Sequence, residues 1–147
     1  ALLDTTPLPN PIRRTIGLDL NRLQMICAVI NKFIAMPVYS QNIFVSLIGG
    51  MKINDTGIDL PTFLAMISSH NGTVLPKTMA SFGEIGLTGE IRTVQNAEDR
   101  IREAARLGIK KVIVPPLNKK TQDNLKKLDI EIIECKNLAQ VINKIFK

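Results

Sequence analysis

Between Phe82 and Arg92 the chain reads FGEIGLTGEIR, with Gly83, Gly86 and Gly89 at every third position. Each glycine in a helix interior costs about 1 kcal/mol against alanine, so this spacing excludes a helix and predicts a β-hairpin or bent strand pair. The flanking segments must then form separate short units. Asp19 is placed to cap a helix whose Leu23, Ile26, Cys27, Ile30, Phe33 and Ile34 form one apolar stripe. NIFVSLIGG is an apolar, β-branched run ended by two glycines and predicts a strand entering a turn. DLPTFLAMISSH predicts a second helix, capped by Asp59 and ending near HNG, with Pro61 in its first turn and Leu64, Ile67 and Ser68 on its inner side.

Beyond the glycine segment, NAEDRIREAARLG predicts a helix from an Asn96 cap to Gly108, with Glu98 and Asp99 at its positive end. KKVIVPP and IEIIEC then predict strands around a helix in TQDNLKKL, and Leu138, Val141, Ile142, Ile145 and Phe146 mark a last amphipathic helix. Helices alternating with strands imply an α/β or α+β domain. At the amino end TTPLPNPIRR crowds Pro7, Pro9 and Pro11 together, which predicts an extended lead-in without regular hydrogen bonding.

With 147 residues, 45% of them hydrophobic and 22% charged, the chain has the composition of one soluble globular domain. No apolar run approaches the roughly 18 residues of a membrane span, and the first residues do not form a signal peptide, so the expected compartment is the cytoplasm. Cys27 and Cys135 lie far apart without CxxC spacing, which reads as packed, reduced thiols rather than a zinc site. The net charge of +6 is unevenly spread: residues 96–147 hold twelve Lys/Arg against seven Asp/Glu. From Arg100 to Lys120 seven basic residues face only Glu103. That half suits a polyanion, or else a solvated surface.

Chemistry-bearing motifs are sparse. His70 stands alone at a helix end, and GEIGLTGE matches neither GxGxxG nor a phosphate loop with its lysine. Glu84 and Glu90 have the makings of an acid and base pair, but glycoside hydrolysis calls for stacking aromatics, and the chain has one Tyr and no Trp. Both carboxylates read as scaffold.

FGEIGLTGEIRTVQNAEDRIREAARLGIKKVIVP resembles the corresponding block of the carboxy-terminal Lon-protease-like domain of the bacterial RadA (Sms) DNA repair family. PNPIRRTIGLDLNRLQMICAVI and FVSLIGGMKINDTGIDLPTFLAMISS match that domain in the same order, so the resemblance spans nearly the whole chain. It implies an α+β fold of the ribosomal protein S5 domain 2-like type, shared with the Lon proteolytic domain. Residues 1–15 would be a linker from an upstream ATPase domain and residues 16–147 the Lon-like domain. The family's plan also implies that ATP, magnesium and zinc belong to upstream zinc-motif and RecA-like domains, leaving no cofactor for this chain. Its CxxC pairs, phosphate loop and KNRFG motif do not occur in this sequence.

Active Lon peptidases use a serine nucleophile and a lysine base. Laid on their pattern, this chain has Gly57 at the serine position and Arg100 at the lysine position. Glycine has no nucleophile, and a guanidinium with a pKa above about 12 is no base near neutral pH. Thr56 and Ser68 are substitute hydroxyls without an identifiable base. The resemblance thus implies a pseudo-peptidase that scaffolds a hexameric homo-oligomer and contributes sequence-independent binding of duplex or branched DNA during branch migration. The expected DNA contacts are Arg13, Arg14, Arg22, Arg92, Arg102, Arg106, Lys110 and Lys111, of which Arg102 and Arg106 share a helix face. The alternative is a residual Lon-type peptidase or peptide-binding module.

Overall fold

The computed structural model describes residues 1–5 and 10–147. Strands β1 (Leu2–Thr5) and β2 (Arg13–Ile16) flank β3 (Gln41–Ser46), β1 antiparallel and β2 parallel to it. The connection from β2 to β3 carries α1 (Leu20–Phe33), whose cap is Asp19, accepting from Arg22 N at 2.9 Å. Leu23, Ile26, Cys27 and Ile30 of its apolar stripe are buried, together with Val29. The lead-in expected to lack regular hydrogen bonding is therefore strand at both ends, and residue 15 lies inside β2. Pro7 and Pro9 lie outside the described residues, and Pro11 precedes β2, where no ladder bond is lost.

After β3 the chain turns through Gly49 and Gly50, both at positive φ, and enters α2 (Asp59–Asn71), which ends on left-handed Gly72. One cap expectation fails here. A 3-10 turn, Thr56–Ile58, precedes α2 and is capped by Asp55, so Asp59 falls inside the first helical turn and is buried.

A second sheet joins β4 (Met79–Ser81), β7 (Lys111–Val114) and β8 (Glu131–Glu134), all parallel, in the order β4-β7-β8. Between β4 and β7 lie the expected hairpin, β5 (Glu84–Ile85) and β6 (Ile91–Arg92), and α3 (Ala97–Arg106). Asn96 does not cap α3 with its side chain; it takes a left-handed turn at φ 58, while Gly108 closes the other end. Helix α4 (Lys119–Leu125) connects β7 to β8, and α5 (Leu138–Ile145) follows. Asn118 and Asn137 cap them, so α4 starts two residues earlier than TQDNLKKL suggested.

The strand period of two explains how two cores share one sheet. Ile113 packs into the larger core with α1, α2 and α5, whereas Val112 and Val114 pack into a smaller one with Ile101 and Leu125. Among the described residues the fold is thus mixed, with small sheets and five α-helices, compatible with the α+β expectation. No helix among the described residues is long and apolar enough to cross a membrane.

Candidate functional site

Folding brings together the two positions, Gly57 and Arg100, that the Lon resemblance aligns with a Ser-Lys pair. Gly57 sits in the 3-10 turn and Arg100 in α3, yet a Cβ built on Gly57 would lie 3.3 Å from Arg100 Nη1. The meeting point is held by Asp55. Its Oδ1 accepts from Gly57 N at 2.6 Å, and its Oδ2 pairs with Arg100 Nη2. Arg100 also donates through Nε to Gln95 C=O at 2.9 Å and lies over the Phe82 ring at 5.7 Å. The guanidinium is consumed in fixed contacts. Hydrogen bonding from Arg100 holds the Asp55 carboxyl below its ordinary range. Gly57 C=O accepts from Gly83 N at 3.1 Å, which ties the hairpin approach to the same turn.

The two substitute hydroxyls lie on different elements. Thr56 shares the 3-10 turn, but Ser68 lies near the far end of α2, where its Oγ donates to Thr73 C=O at 2.6 Å. His70 contacts Gln41 Nε2 at 3.2 Å through Nδ1. Both cysteines are buried free thiols, and burial pushes each thiol pKa up.

Beside the vacant positions stands a feature that the sequence does not reveal. Asp59 is fully buried, and both its oxygens accept from Arg22 Nη1 at 2.8 Å, while Ile85 N donates to Oδ2 at 3.0 Å. Burial pushes its pKa up, opposed by Arg22 and by the Ile85 amide. One carboxylate therefore joins α1, the start of α2 and the hairpin. The only sequence signal was an acidic residue opening a helix, which ordinarily reads as an exposed cap.

In the hairpin, Glu84 and Glu90 both pair with Arg92, as befits scaffold carboxylates. Glu90 further accepts from Thr88 Oγ1 at 2.5 Å and Thr88 N at 3.0 Å. These bonds, that from the Thr88 hydroxyl foremost, hold its carboxyl down to about 2. A depressed carboxylate contributes stability above its unfolded pKa, and that contribution disappears as pH falls toward the folded value. An NMR titration should accordingly place the Glu90 midpoint near 2, and Thr88→Val should raise it. An ordinary midpoint in the unsubstituted protein would contradict the hairpin geometry.

Six of the eight cations expected to meet DNA have carboxylate partners among the described residues. Arg22 is committed to Asp59, and Arg92 to the hairpin carboxylates. Arg102 pairs with Glu98, Arg106 with Glu103, Lys110 with Asp129 and Lys111 with Glu131. Arg13 lies on the row of core residue Ile43, with its Nε buried, whereas Arg14 is exposed on the row of Leu2 and Phe44. Arg102 and Arg106 do share the exposed side of α3. Among the described residues no group of three or more His, Cys, Asp or Glu is placed to hold a metal ion.

Residues 21–118 match the family model described as subunit ChlI of Mg-chelatase. Among curated proteins, the DNA repair protein RadA of Pseudomonas aeruginosa is 37% identical over all 147 residues. RadA of Haemophilus influenzae is 44% identical over 81% of the chain, and RadA of Bacillus subtilis 34% identical over 97%. The chain spans 32%, 26% and 31%, respectively, of those proteins' lengths.

Proposed function

Because the chain belongs to the family described as subunit ChlI of Mg-chelatase and aligns over its full length with part of a RadA protein, we propose that it is a non-catalytic, Lon-like domain of a RadA-type DNA repair protein. In this reading the domain has the ribosomal protein S5 domain 2-like fold. It scaffolds a hexameric ring and contributes backbone contacts to duplex or branched DNA for an adjoining RecA-like ATPase. The observation that carries the non-catalytic part is the junction of Gly57, Asp55 and Arg100. Space next to a nucleophile position is filled by a carboxylate, and the neighbouring cation is a guanidinium locked in three contacts.

The DNA contacts fall to the exposed cations of the hairpin, α3 and β7. Arg92, Arg102, Arg106, Lys110 and Lys111 are engaged in surface ion pairs. Such pairs contribute about 0–1 kcal/mol, so a phosphate displaces the carboxylate at little cost. This reading leaves out Arg22, whose partner Asp59 is buried. If about four to six phosphates are neutralised per protomer, the logarithm of affinity should fall with the logarithm of salt at a slope near −4 to −5. Fluorescence anisotropy on duplexes of different sequence tests this. Arg92→Ala should weaken all of them alike and make the slope shallower by about one. A slope unchanged by replacing each of the five cations would leave a scaffold without DNA contact.

A further inference from the structure

The first sheet is edged by β1 and β2 and the second by β4 and β8. Helix α2 packs along β1 and β4, whereas the outer edges of β2 and β8 are open among the described residues. Which backbone groups each edge presents follows from the pairing. Ile43 N donates to Ile12 C=O and Leu47 N to Ile16 C=O, so in this parallel ladder Ile12, Arg14 and Ile16 turn toward β3. Arg13 and Thr15 turn their N–H and C=O outward. Likewise Glu131 N donates to Lys110 C=O and Cys135 N to Val114 C=O, so Ile132 and Glu134 face away from β7. Lys144 Nζ takes the Glu134 C=O at 2.8 Å, and the remaining outward groups have no hydrogen bond among the described residues.

An open edge is a template for another strand, and charges on it decide which strand is accepted. The two edges here carry opposite signs. β2 bears Arg14, exposed and without a carboxylate partner among the described residues, beside the partly buried Arg13. β8 bears Glu131 and Glu134, with Asp129 just before it, whose partners are Lys111, Gln122 and Lys110 respectively. Two β2 edges would bring arginines together, and two β8 edges would bring glutamates together. Only β2 against β8 matches. Apolar surface accompanies both edges. Leu2, Ile16 and Phe44 line an open cleft of about 440 Å³ beside Arg14. Leu125, Leu128 and Ile132 line one of about 400 Å³ beside β8. Ile16 is 62% exposed, with nothing among the described residues to cover it.

We propose that β2 of one copy pairs with β8 of the next, extending the first sheet of one protomer into the second sheet of its neighbour. The pairing is antiparallel, so that Arg14 and Glu131 of the adjacent copy, whose backbone groups both face inward, stand opposite each other as a non-hydrogen-bonded pair. Glu131, 59% exposed and paired with Lys111 at 3.1 Å, exchanges that surface partner for Arg14 at little cost. Each copy uses two different surfaces, and a contact of this type closes into a ring when its rotation allows. The inference rests on the ring reading above and names the surface that forms it.

The test is sedimentation velocity over a concentration series on the protein carrying this domain, with circular dichroism to verify folding. Thr15→Pro and Ile132→Pro each delete one outward N–H and leave the bonds to β3 and β7 in place. Arg14→Glu and Glu131→Arg each reverse one edge charge on an exposed side chain. Every one of these variants should weaken association roughly tenfold or more. Mixing the Arg14→Glu and Glu131→Arg proteins should restore assembly, since each contact in an alternating ring again joins Glu to Arg. Rings that persist in all four variants, or charge reversals that mixing does not rescue, overturn the pairing while the ring reading stands. An unsubstituted protein that stays monomeric throughout the series overturns both.

Discussion

Arg22→Ala is expected to destabilise the fold by about 3–5 kcal/mol, the loss typical when one member of a buried ion pair is removed. Asp59 has no exposed surface, and Arg22 supplies contacts to both its oxygens. Without the guanidinium, the carboxylate must either stay charged in the core or take up a proton. For a domain of this size the loss corresponds to a melting temperature lower by roughly 10 °C. Asp59→Ala should cost a similar amount, because it also leaves Ile85 N–H without its acceptor. Removing both charges with Arg22→Met and Asp59→Leu should recover part of the loss, since an apolar pair carries no charge-desolvation penalty while the Ile85 N–H still lacks its acceptor. Urea unfolding of the three variants decides the matter. A change under about 1 kcal/mol in Arg22→Ala would mean that Asp59 is satisfied by other groups.

Gly57→Ser is expected to lower stability by about 1–3 kcal/mol, the usual cost of overpacking, and to create no peptidase. The new Cβ would stand 2.6 Å from Asp55 Oδ1, an atom already fixed by the Gly57 amide, while its partner oxygen is fixed by Arg100. Something in that junction must move. The serine would still lack a base, because Arg100 retains its proton. Neither the unsubstituted protein nor Gly57→Ser should cleave an unfolded substrate or react with a serine-directed acylating probe. Cleavage that disappears on Thr56→Ala would refute the non-catalytic reading. A fully stable Gly57→Ser would show that Asp55 and Arg100 do not occupy the space that the geometry gives them.

The difference between these two sites shows how far a linear reading reaches. Gly57 and Arg100 were marked as degenerate positions by the resemblance to Lon peptidases, since glycine offers no nucleophile and a guanidinium no base. That Asp55 locks them together was not visible, since the ion pair joins residues 45 positions apart. The DNA set was read from charge density, which counts cations but not their partners. Six of its eight members turned out to have carboxylate neighbours, and for Arg22 that neighbour lies in the core.

By itself the sequence determined the local elements, because their causes are local. The apolar stripe and Asp19 make α1, the threefold-spaced glycines make the hairpin, and short β-branched runs ended by proline or turn residues make β7 and β8. Tertiary structure decided whatever depends on which segments meet. It drew β1 and β2 of the expected lead-in into a sheet, because β3 offered two open edges whose backbone groups needed partners. It also turned Asp59 from a cap into a buried anchor, because α1 brings Arg22 against the start of α2, and a carboxylate can enter a core only where a cation and an amide await it.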